Sequence, residues 1–285
     1  MLFRSKAVLD TMHWLETQGY TVTFLAPERN GLISLNKFEA ALRDDTVLAS
    51  VMLVNNEIGV IQDVAALGNI CRARGTLFHV DAAQATGKLP IDLATLPVDL
   101  MSLTAHKTYG PKGIGALYVR RGVAVDCQMH GGGHERGLRS GTLPAHQIVG
   151  LGECFDLARR EMNAEVPRVR AQRDRLWAAL RELPGVRLNG DFGARVAHNL
   201  NIGIADCELP LSSLTDVAIS SASACILGQA SHVIAALGGD DVSTVLRITV
   251  GRFNTDAEID FAASYLRGKI AACRANAEHK AAWTV

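Results

Sequence analysis

Short apolar runs alternate with amphipathic segments through the first two-thirds of the chain, and this alternation restricts the fold more than any other feature. The runs LASVMLVNN, TLFHV and VDLMSL are typical of buried strands. The segments SKAVLDTMHWLETQGY, SLNKFEAALRDD and DVAALGNICRARG have helical periodicity. We expect further strands at TVTFLAP and GIGALYVRR. Strands that alternate with helices indicate an α/β fold built on a parallel-rich sheet.

The second half of the chain has a different pattern, which predicts a second domain. A long helical region comes first, and Pro167 should kink or break it. The runs HNLNIGIA, DVAIS and LRITVGRF then predict strands, and Thr255 with Glu258 has capping-box spacing before the last helix. We therefore predict a large α/β domain over residues 1–163 and a smaller α+β domain over residues 164–285.

The composition argues against several classes of protein. Basic and acidic residues balance at 29 each and aromatic residues make up 5%, so neither charge nor stacking favours a nucleic-acid or anionic-membrane partner. No apolar run approaches the roughly 18 residues that a membrane span needs. The cysteines form no CxxC pair and the start MLFRSKAVLD shows no signal peptide, so we expect a reduced, cytoplasmic protein. At helical positions we expect structural thiols, namely Cys71, Cys154 and Cys273.

Polar residues follow three of the predicted strands at the point where each strand ends. They are Asn55, Asn56 and Glu57, then Asp81 and Gln84, then Thr104, His106 and Lys107. Because open α/β sheets bind ligands at the carboxyl ends of their strands, we expect a site there. The residues alone leave a second interpretation open, in which Asp81 caps a helix and Lys107 is a solvated loop charge.

One kind of chemistry uses this set in full. Pyridoxal phosphate (PLP) needs a lysine for its Schiff base and an acid against its pyridine nitrogen. It also needs hydroxyl and imidazole donors for its phosphate, and a lysine whose pKa is lowered by its surroundings. Asp81, Thr104, His106 and Lys107 supply these groups.

Six motifs carry a resemblance to a known family. They are VNNEIGV, HVDAAQATGKLPID, HKTYGPKGIGALYVRR, MHGGGHERGLRSGTLPAHQIVGLGE, SSASAC and GRFNT. In this order, over nearly the whole chain, they resemble the cysteine desulfurases, PLP-dependent transferases of fold type I. The resemblance is to the group that supplies sulfur for iron–sulfur cluster assembly and tRNA thiolation. It implies that L-cysteine is converted to L-alanine while the sulfur becomes a persulfide on the enzyme.

The resemblance also assigns the cofactor-binding residues. Lys107 corresponds to the Schiff-base lysine, Asp81 to the partner of the pyridine nitrogen and Gln84 to the donor to the phenolic oxygen. The implied phosphate ligands are Thr104, His106 and, in the motif RSGT, Thr142. In the family, the residue at the position of Thr142 reaches the cofactor of the neighbouring subunit, so the resemblance implies a homodimer.

The resemblance also implies which residues bind the substrate and which one acts as the nucleophile. Asn56, also counted with the cofactor residues, and Arg247 correspond to the groups that orient the substrate carboxylate. Cys225 corresponds to the nucleophile, and its small polar surroundings are typical of a mobile loop. It is also a candidate ligand of a transferred iron–sulfur cluster, and we expect no other metal site. The implied partners are L-cysteine, an iron–sulfur scaffold protein and other sulfur acceptors.

The chain departs from the family pattern near its start. The family has a preceding phosphate-binding segment, so we expect the chain to be N-terminally truncated, and Ser5 stands where the family has a ring-stacking histidine. A serine can neither stack on the ring nor transfer protons near neutral pH. Ala222 replaces a usual glycine.

Three interpretations therefore stay open. The first is an active desulfurase, and the second is a catalytically impaired remnant that dimerises or binds sulfur-transfer partners. The third is another PLP enzyme such as an aminotransferase, which Cys225 disfavours. A bound chromophore separates the first from the second, and formation of alanine and sulfide from cysteine separates the first from the third.

Overall fold

The computed structural model describes residues 6–221, 231–238 and 242–282. The helices are α1 (Lys6–Thr17), α2 (Leu35–Ala41), α3 (Val64–Ala73), α4 (Ala145–Leu180), α5 (His232–Ala236) and α6 (Asp256–Ala282). The strands are β1 (Leu48–Met52), β2 (Leu77–Asp81), β3 (Leu100–Thr104), β4 (Gly115–Val119), β5 (Val186–Leu188), β6 (Asn199–Ile204) and β7 (Thr244–Thr249). Single 3₁₀ turns lie at Glu135–Gly137 and Leu211–Ser213.

The first four strands form one sheet in the order β1-β2-β3-β4. The pairs β1–β2 and β2–β3 are parallel, whereas β4 returns antiparallel to β3. The register places Asp81 opposite both Met52 and Ser102, so β1, β2 and β3 end at the same edge of the sheet. The predicted parallel-rich sheet is confirmed, and its carboxyl edge carries the polar residues that follow β2 and β3.

The last three strands form a separate antiparallel sheet in the order β5-β6-β7. Every residue of β6 is buried, and its apolar side chains pack in a core with residues of α4 and α6, including Leu176, Leu180 and Leu266. The predicted capping box opens α6: the Thr255 amide donates to the Glu258 carboxylate at 2.8 Å, and the Glu258 amide donates to the Thr255 hydroxyl at 3.3 Å.

The chain divides into two compact units. One comprises residues 42–53 and 63–163, and the other comprises the described residues of 1–41, 54–62 and 164–285. A unit boundary thus falls between residues 163 and 164, within α4. Residues 1–41 and 54–62 are grouped with the C-terminal part of the chain. The division into domains at residue 163 stays a prediction.

Two expected strands do not form, and the expected break at Pro167 is absent. Residues 21–27 form no strand, and within DVAIS only Ser220 pairs, in an isolated bridge with Arg247. The helix α4 runs unbroken through Pro167. A proline removes one backbone hydrogen bond, but beyond it Val169, Leu176 and Leu180 are buried in the core, and this burial stabilises the continued helix.

No helix in the described ranges is both long enough and apolar enough to cross a lipid bilayer.

Two helical glycines of one unit provide a test of packing around the first sheet. A Cβ atom on Gly68 of α3 would lie 2.3 Å from the Pro97 carbonyl oxygen and 3.1 Å from the Phe78 ring, whereas nothing lies within 4 Å of a Cβ on Gly152 of α4. We expect Gly68→Ala to lower the free energy of unfolding by about 1–3 kcal/mol through overpacking. Gly152→Ala should raise it by up to about 1 kcal/mol through helix propensity.

Urea unfolding followed by circular dichroism measures both changes. Equal effects of the two substitutions would contradict the packing of α3 against Pro97 and β2.

Candidate functional site

Asp81 ends β2 with a carboxylate that is held in place by the local turn. Its side chain is only 7% exposed, and Oδ1 accepts a hydrogen bond from the Ala83 amide at 3.0 Å. The Ala82 amide donates to the Ser102 carbonyl of the neighbouring strand at 3.0 Å. The residues that follow form turns and no helix, so the interpretation of Asp81 as a helix cap is wrong. A buried carboxylate with fixed orientation therefore stands at the carboxyl edge of the sheet.

Lys107 lies in a tight turn three residues beyond the end of β3. The amides of Thr108 and Gly110 both donate to the Ala105 carbonyl, at 2.8 and 3.0 Å. Ala105 and Thr108 are buried, and the Thr108 hydroxyl lies 3.0 Å from that of Thr86. The turn is thus anchored on both sides of Lys107, which is half-buried. This anchoring makes a freely solvated loop charge a poor description of Lys107.

The residues after Lys107 show why this turn needs its particular sequence. Tyr109 adopts a positive φ of 60°, which costs energy for a residue with a bulky side chain and is found mainly at functional sites. The Lys88 ammonium lies 4.6 Å from the centroid of the Tyr109 ring. A Cβ on Gly110 would lie 2.6 Å from the Cys154 sulfur. The surrounding packing therefore enforces a strained backbone next to the lysine.

Hydroxyl, imidazole and amide groups lie along the same edge. Thr104 Oγ1 and His106 Nδ1 are 2.8 Å apart, with Thr104 half-buried and His106 exposed. Gln84 is half-buried in the turn after Asp81. Thr142 is different, because it is exposed just before α4 and belongs to no strand end.

These groups fit PLP, which the resemblance implies. The oriented carboxylate of Asp81 suits a pyridine nitrogen that must stay protonated, and the half-buried amine of Lys107 suits a covalent link to an aldehyde. The paired hydroxyl and imidazole of Thr104 and His106 suit a phosphate. All lie at or just after the ends of two adjacent parallel strands, where open α/β sheets bind ligands.

The third predicted strand end is built differently. Residues 54–62 form a tight hairpin that belongs to the other unit. The Asn55 side-chain oxygen accepts the amides of Glu57 and Ile58 at 2.8 and 3.0 Å, and the Gly59 amide donates to the Asn55 carbonyl at 2.9 Å. Asn55 and Glu57 are buried, whereas Asn56 is half-buried at the tip.

Arg247 lies on β7 within the same unit as this hairpin. Its Nη1 donates to the Asn56 carbonyl at 3.4 Å, and its Nε donates to the Ser220 hydroxyl at 3.0 Å. Burial lowers the pKa of the Arg247 guanidinium, and the negative charge of Glu57 opposes that shift. The two residues expected to bind a carboxylate, Asn56 and Arg247, are therefore brought together. Sequence reasoning missed Ser220, whose only signal was its place in a small polar segment.

The expected nucleophile, Cys225, lies outside the described residues, as do Ser5 and Ala222. Cys71 and Cys154 are buried free thiols, as expected. The expectations of a structural thiol at Cys273 and of a fully reduced protein are both wrong, because Cys273 forms a disulfide with Cys207, with Cα atoms 5.9 Å apart. The pairing joins α6 to the loop after β6, 66 residues away in sequence, a distance that helical periodicity could not reveal. Among the residues that the structure describes, no three His, Cys, Asp or Glu side chains converge as a metal-binding group.

Comparison with known proteins gives one consistent relationship. The family model for class-V aminotransferases matches residues 5–261. Cysteine desulfurase IscS of Methylobacillus flagellatus is 58% identical over 277 residues, which cover 94% of this chain and 68% of that protein. A solved NifS-like protein is 33% identical with a TM-score of 0.86, covering 93% of this chain and 72% of its own. SspA, solved in complex with cysteine, is 33% identical with a TM-score of 0.76, covering 89% and 73%.

The environments of the described thiols predict which of them react. Burial, and secondarily the charge of Asp99, raises the pKa of the Cys71 thiol to about 12, and burial also raises the pKa of Cys154. Because the thiolate is the reactive form, both should stay protonated and unreactive at pH 8. Cys127, half-buried, should react with iodoacetamide first. Peptide mass spectrometry measures the order, with urea-unfolded protein as the control in which all three react. Equal labelling of Cys71 and Cys127 in folded protein would contradict this assignment.

Proposed function

The chain belongs to the class-V aminotransferase family and, within it, to the cysteine desulfurases, and on this premise we propose how its own residues remove sulfur from L-cysteine. Enzymes of this family depend on PLP. The proposed products are L-alanine and a persulfide on Cys225, whose sulfur is then passed on for iron–sulfur cluster assembly. One observation carries the proposal: the buried Asp81 carboxylate and the anchored Lys107 turn follow adjacent parallel strands.

In this proposal Lys107 has two tasks. Its amine holds the cofactor covalently, and once substrate has displaced it, the free amine takes the proton from the substrate α-carbon and returns a proton. When bound, PLP supplies an electron sink for the pair left behind by that proton. Asp81 keeps a proton on the pyridine nitrogen, which requires its carboxylate to stay negatively charged. The hydrogen bond from the Ala83 amide fixes the direction in which this carboxylate points.

The remaining polar groups of the first unit position the cofactor. Thr104 and His106 are proposed to bind its phosphate and Gln84 its phenolic oxygen. The strained Tyr109 backbone and the close approach at Gly110 hold the Lys107 turn in one conformation. Such preorganisation limits the reorganisation that each proton transfer requires.

On the substrate side, Arg247 and Asn56 are proposed to bind the carboxylate of cysteine. The forked guanidinium of arginine matches a carboxylate in geometry and stays charged at neutral pH. The Cys225 thiolate then attacks the substrate sulfur: an S–S bond forms as the C–S bond breaks, and the carbon skeleton leaves as alanine. No external oxidant is needed, because the substrate carbon takes up the electron pair of the broken C–S bond and a proton. The thiolate is present at only a few per cent near pH 7 for an ordinary cysteine pKa of about 8.5.

Sulfur transfer also requires partners. We propose a homodimer in which Thr142 binds the cofactor phosphate of the other subunit, which its exposed position before α4 permits. An iron–sulfur scaffold protein and other sulfur acceptors, those of tRNA thiolation among them, would take the persulfide sulfur, and we expect this to occur in the cytoplasm.

Subunit mixing tests the dimer. Alone, Lys107→Ala should be inactive and Thr142→Ala should lose most activity. A refolded equal mixture should regain about a quarter of wild-type activity, because each mixed dimer holds one site with both native residues. Light scattering of the wild type should show a dimer at micromolar concentration. A monomer, or a mixture no more active than the average of its components, would contradict the shared site.

The chemistry is tested with purified protein, added PLP and L-cysteine. We expect Lys107→Ala to form neither alanine nor persulfide. Cys225→Ala should keep the PLP absorbance but lose the persulfide, which mass spectrometry detects at residue 225. Both losses should exceed a hundredfold, the usual effect of removing a proton-transfer group or a nucleophile.

The matched controls are an exposed lysine and a second free cysteine, in the variants Lys112→Ala and Cys127→Ala. Both should resemble the wild type. Sulfide and alanine at equal rates in all of these proteins would show that the proposed roles of Lys107 and Cys225 are wrong. A Ser5→His variant should be faster than the wild type if an imidazole at residue 5 contributes to proton transfer.

A further inference from the structure

Glu57 is a buried carboxylate to which the proposed reaction gives no task. Its side chain is fully buried, and Oε2 accepts a hydrogen bond from the Ser231 hydroxyl at 2.5 Å. Its other oxygen, Oε1, has no hydrogen-bond partner among the described residues. Burying a charge is costly unless it is paired, so its presence here calls for an explanation.

The Ser231 hydroxyl links this carboxylate to the start of α5. It donates to Glu57 and accepts the Ile234 amide at 3.2 Å, which makes it the N-cap of that helix. Beyond the cap, Val233 and Ile234 pack against Ile58, the neighbour of Glu57. Ser231 is also the first described residue after 222–230, the stretch that contains Cys225. The hydrogen bond therefore fixes the point at which the chain leaves that stretch.

The other end of the stretch is fixed by Arg247. Ser220 and Arg247 exchange both backbone hydrogen bonds, at 3.2 and 2.6 Å, and Arg247 Nε donates to the Ser220 hydroxyl at 3.0 Å. The same guanidinium donates to the Asn56 carbonyl, next to Glu57. Both chain ends that flank residues 222–230 are thus attached to the Asn56–Glu57 tip of the hairpin, one through Ser231 and one through Arg247.

Glu57 also acts on Arg247 through its charge. Burial makes the charged guanidinium less favourable, and the Glu57 carboxylate opposes this. A single anion thereby serves a half-buried cation and the N-cap of α5. The Glu57 side chain thus connects to the N-cap of α5 by a hydrogen bond and to Arg247 through its charge.

We propose that Glu57 is a positioning residue of the desulfurase reaction, which fixes the chain end behind the Cys225 segment through Ser231 and helps to orient Arg247, held at the neighbouring Asn56 carbonyl, for the substrate carboxylate. This inference rests on the proposed function. Glu57 itself touches neither substrate nor cofactor in this scheme. Its two connections predict two separable effects, one on persulfide formation and one on substrate binding.

Substitutions separate the two connections. Glu57→Gln keeps the shape but removes the charge, Ser231→Ala removes the hydroxyl while leaving the charge, and Ser231→Thr keeps a capping hydroxyl. Glu165→Gln is the matched control, since Glu165 is also a buried carboxylate of the same unit and pairs with Arg252 at 2.6 Å. Each protein is assayed with PLP for the cysteine KM, for the single-turnover rate of persulfide formation on Cys225 and for the urea midpoint.

We expect Ser231→Ala to slow persulfide formation roughly tenfold with little change in KM, as befits loss of a charge-assisted hydrogen bond. Ser231→Thr should restore most of that rate. Glu57→Gln should slow persulfide formation and also raise the KM roughly tenfold. In the double variant the two effects on persulfide formation should be less than additive, because Glu57→Gln weakens the same hydrogen bond that Ser231→Ala removes. Glu165→Gln should change only the urea midpoint.

Identical kinetics for Ser231→Ala and Ser231→Thr would overturn the inference, as would Glu57→Gln behaving like Glu165→Gln. A wild type that forms neither alanine nor persulfide would instead overturn the proposed function. In that case amide hydrogen exchange over residues 231–238 still decides the anchoring role: faster exchange in Glu57→Gln supports it, and unchanged exchange overturns it.

Discussion

One backbone carbonyl holds in place the hairpin that carries Asn56, a residue of the proposed substrate site. The carbonyl oxygen of Glu57 accepts hydrogen bonds from the side chains of Asn199 and Asn201, at 3.0 and 3.1 Å, and all three residues are buried. Because an unpaired buried amide costs free energy, these two bonds hold the hairpin against β6. A Cβ on Gly59 would lie 2.6 Å from Asn199, so the approach also requires glycine at φ +71°. Asn56 depends on this contact for its position.

In the proposed mechanism, the cofactor-binding residues belong to one unit and the substrate-binding residues Asn56 and Arg247 belong to the other. The cofactor residues follow parallel strands, whose shared register fixes the edge from which Asp81 and Lys107 project. The substrate residues stand on a polar network in which every connection from Ser220 through Arg247 to the hairpin is a hydrogen bond. Apolar packing does not fix the orientation of a polar group, whereas hydrogen bonds do. Binding a carboxylate requires donors that are held in a fixed orientation.

The sequence predicted those features whose causes are local. Hydrophobic periodicity gave β1 to β4 and the helices α1 to α3, and the reciprocal Thr255–Glu258 bonds follow from residue types three apart. Sequence-based prediction failed where the local structure depends on pairing between segments that are distant in the chain. Residues 21–27 have strand-like composition but remain irregular, and the bond between Cys207 and Cys273 spans 66 residues. Neither outcome has a periodic signature, because each depends on distant segments.

The sequence by itself determined the family and the parallel-rich sheet and pointed to the candidate cofactor residues, since motif order and the polar residues at strand ends are properties of the linear chain. Only the tertiary structure decided that residues 54–62 join the C-terminal part of the chain, where Glu57 meets Ser231 and Arg247. Glu57 and Ser231 are 174 positions apart in the sequence, and Arg247 lies further still. Their association follows from burial of polar groups that must find partners wherever the folded chain supplies them.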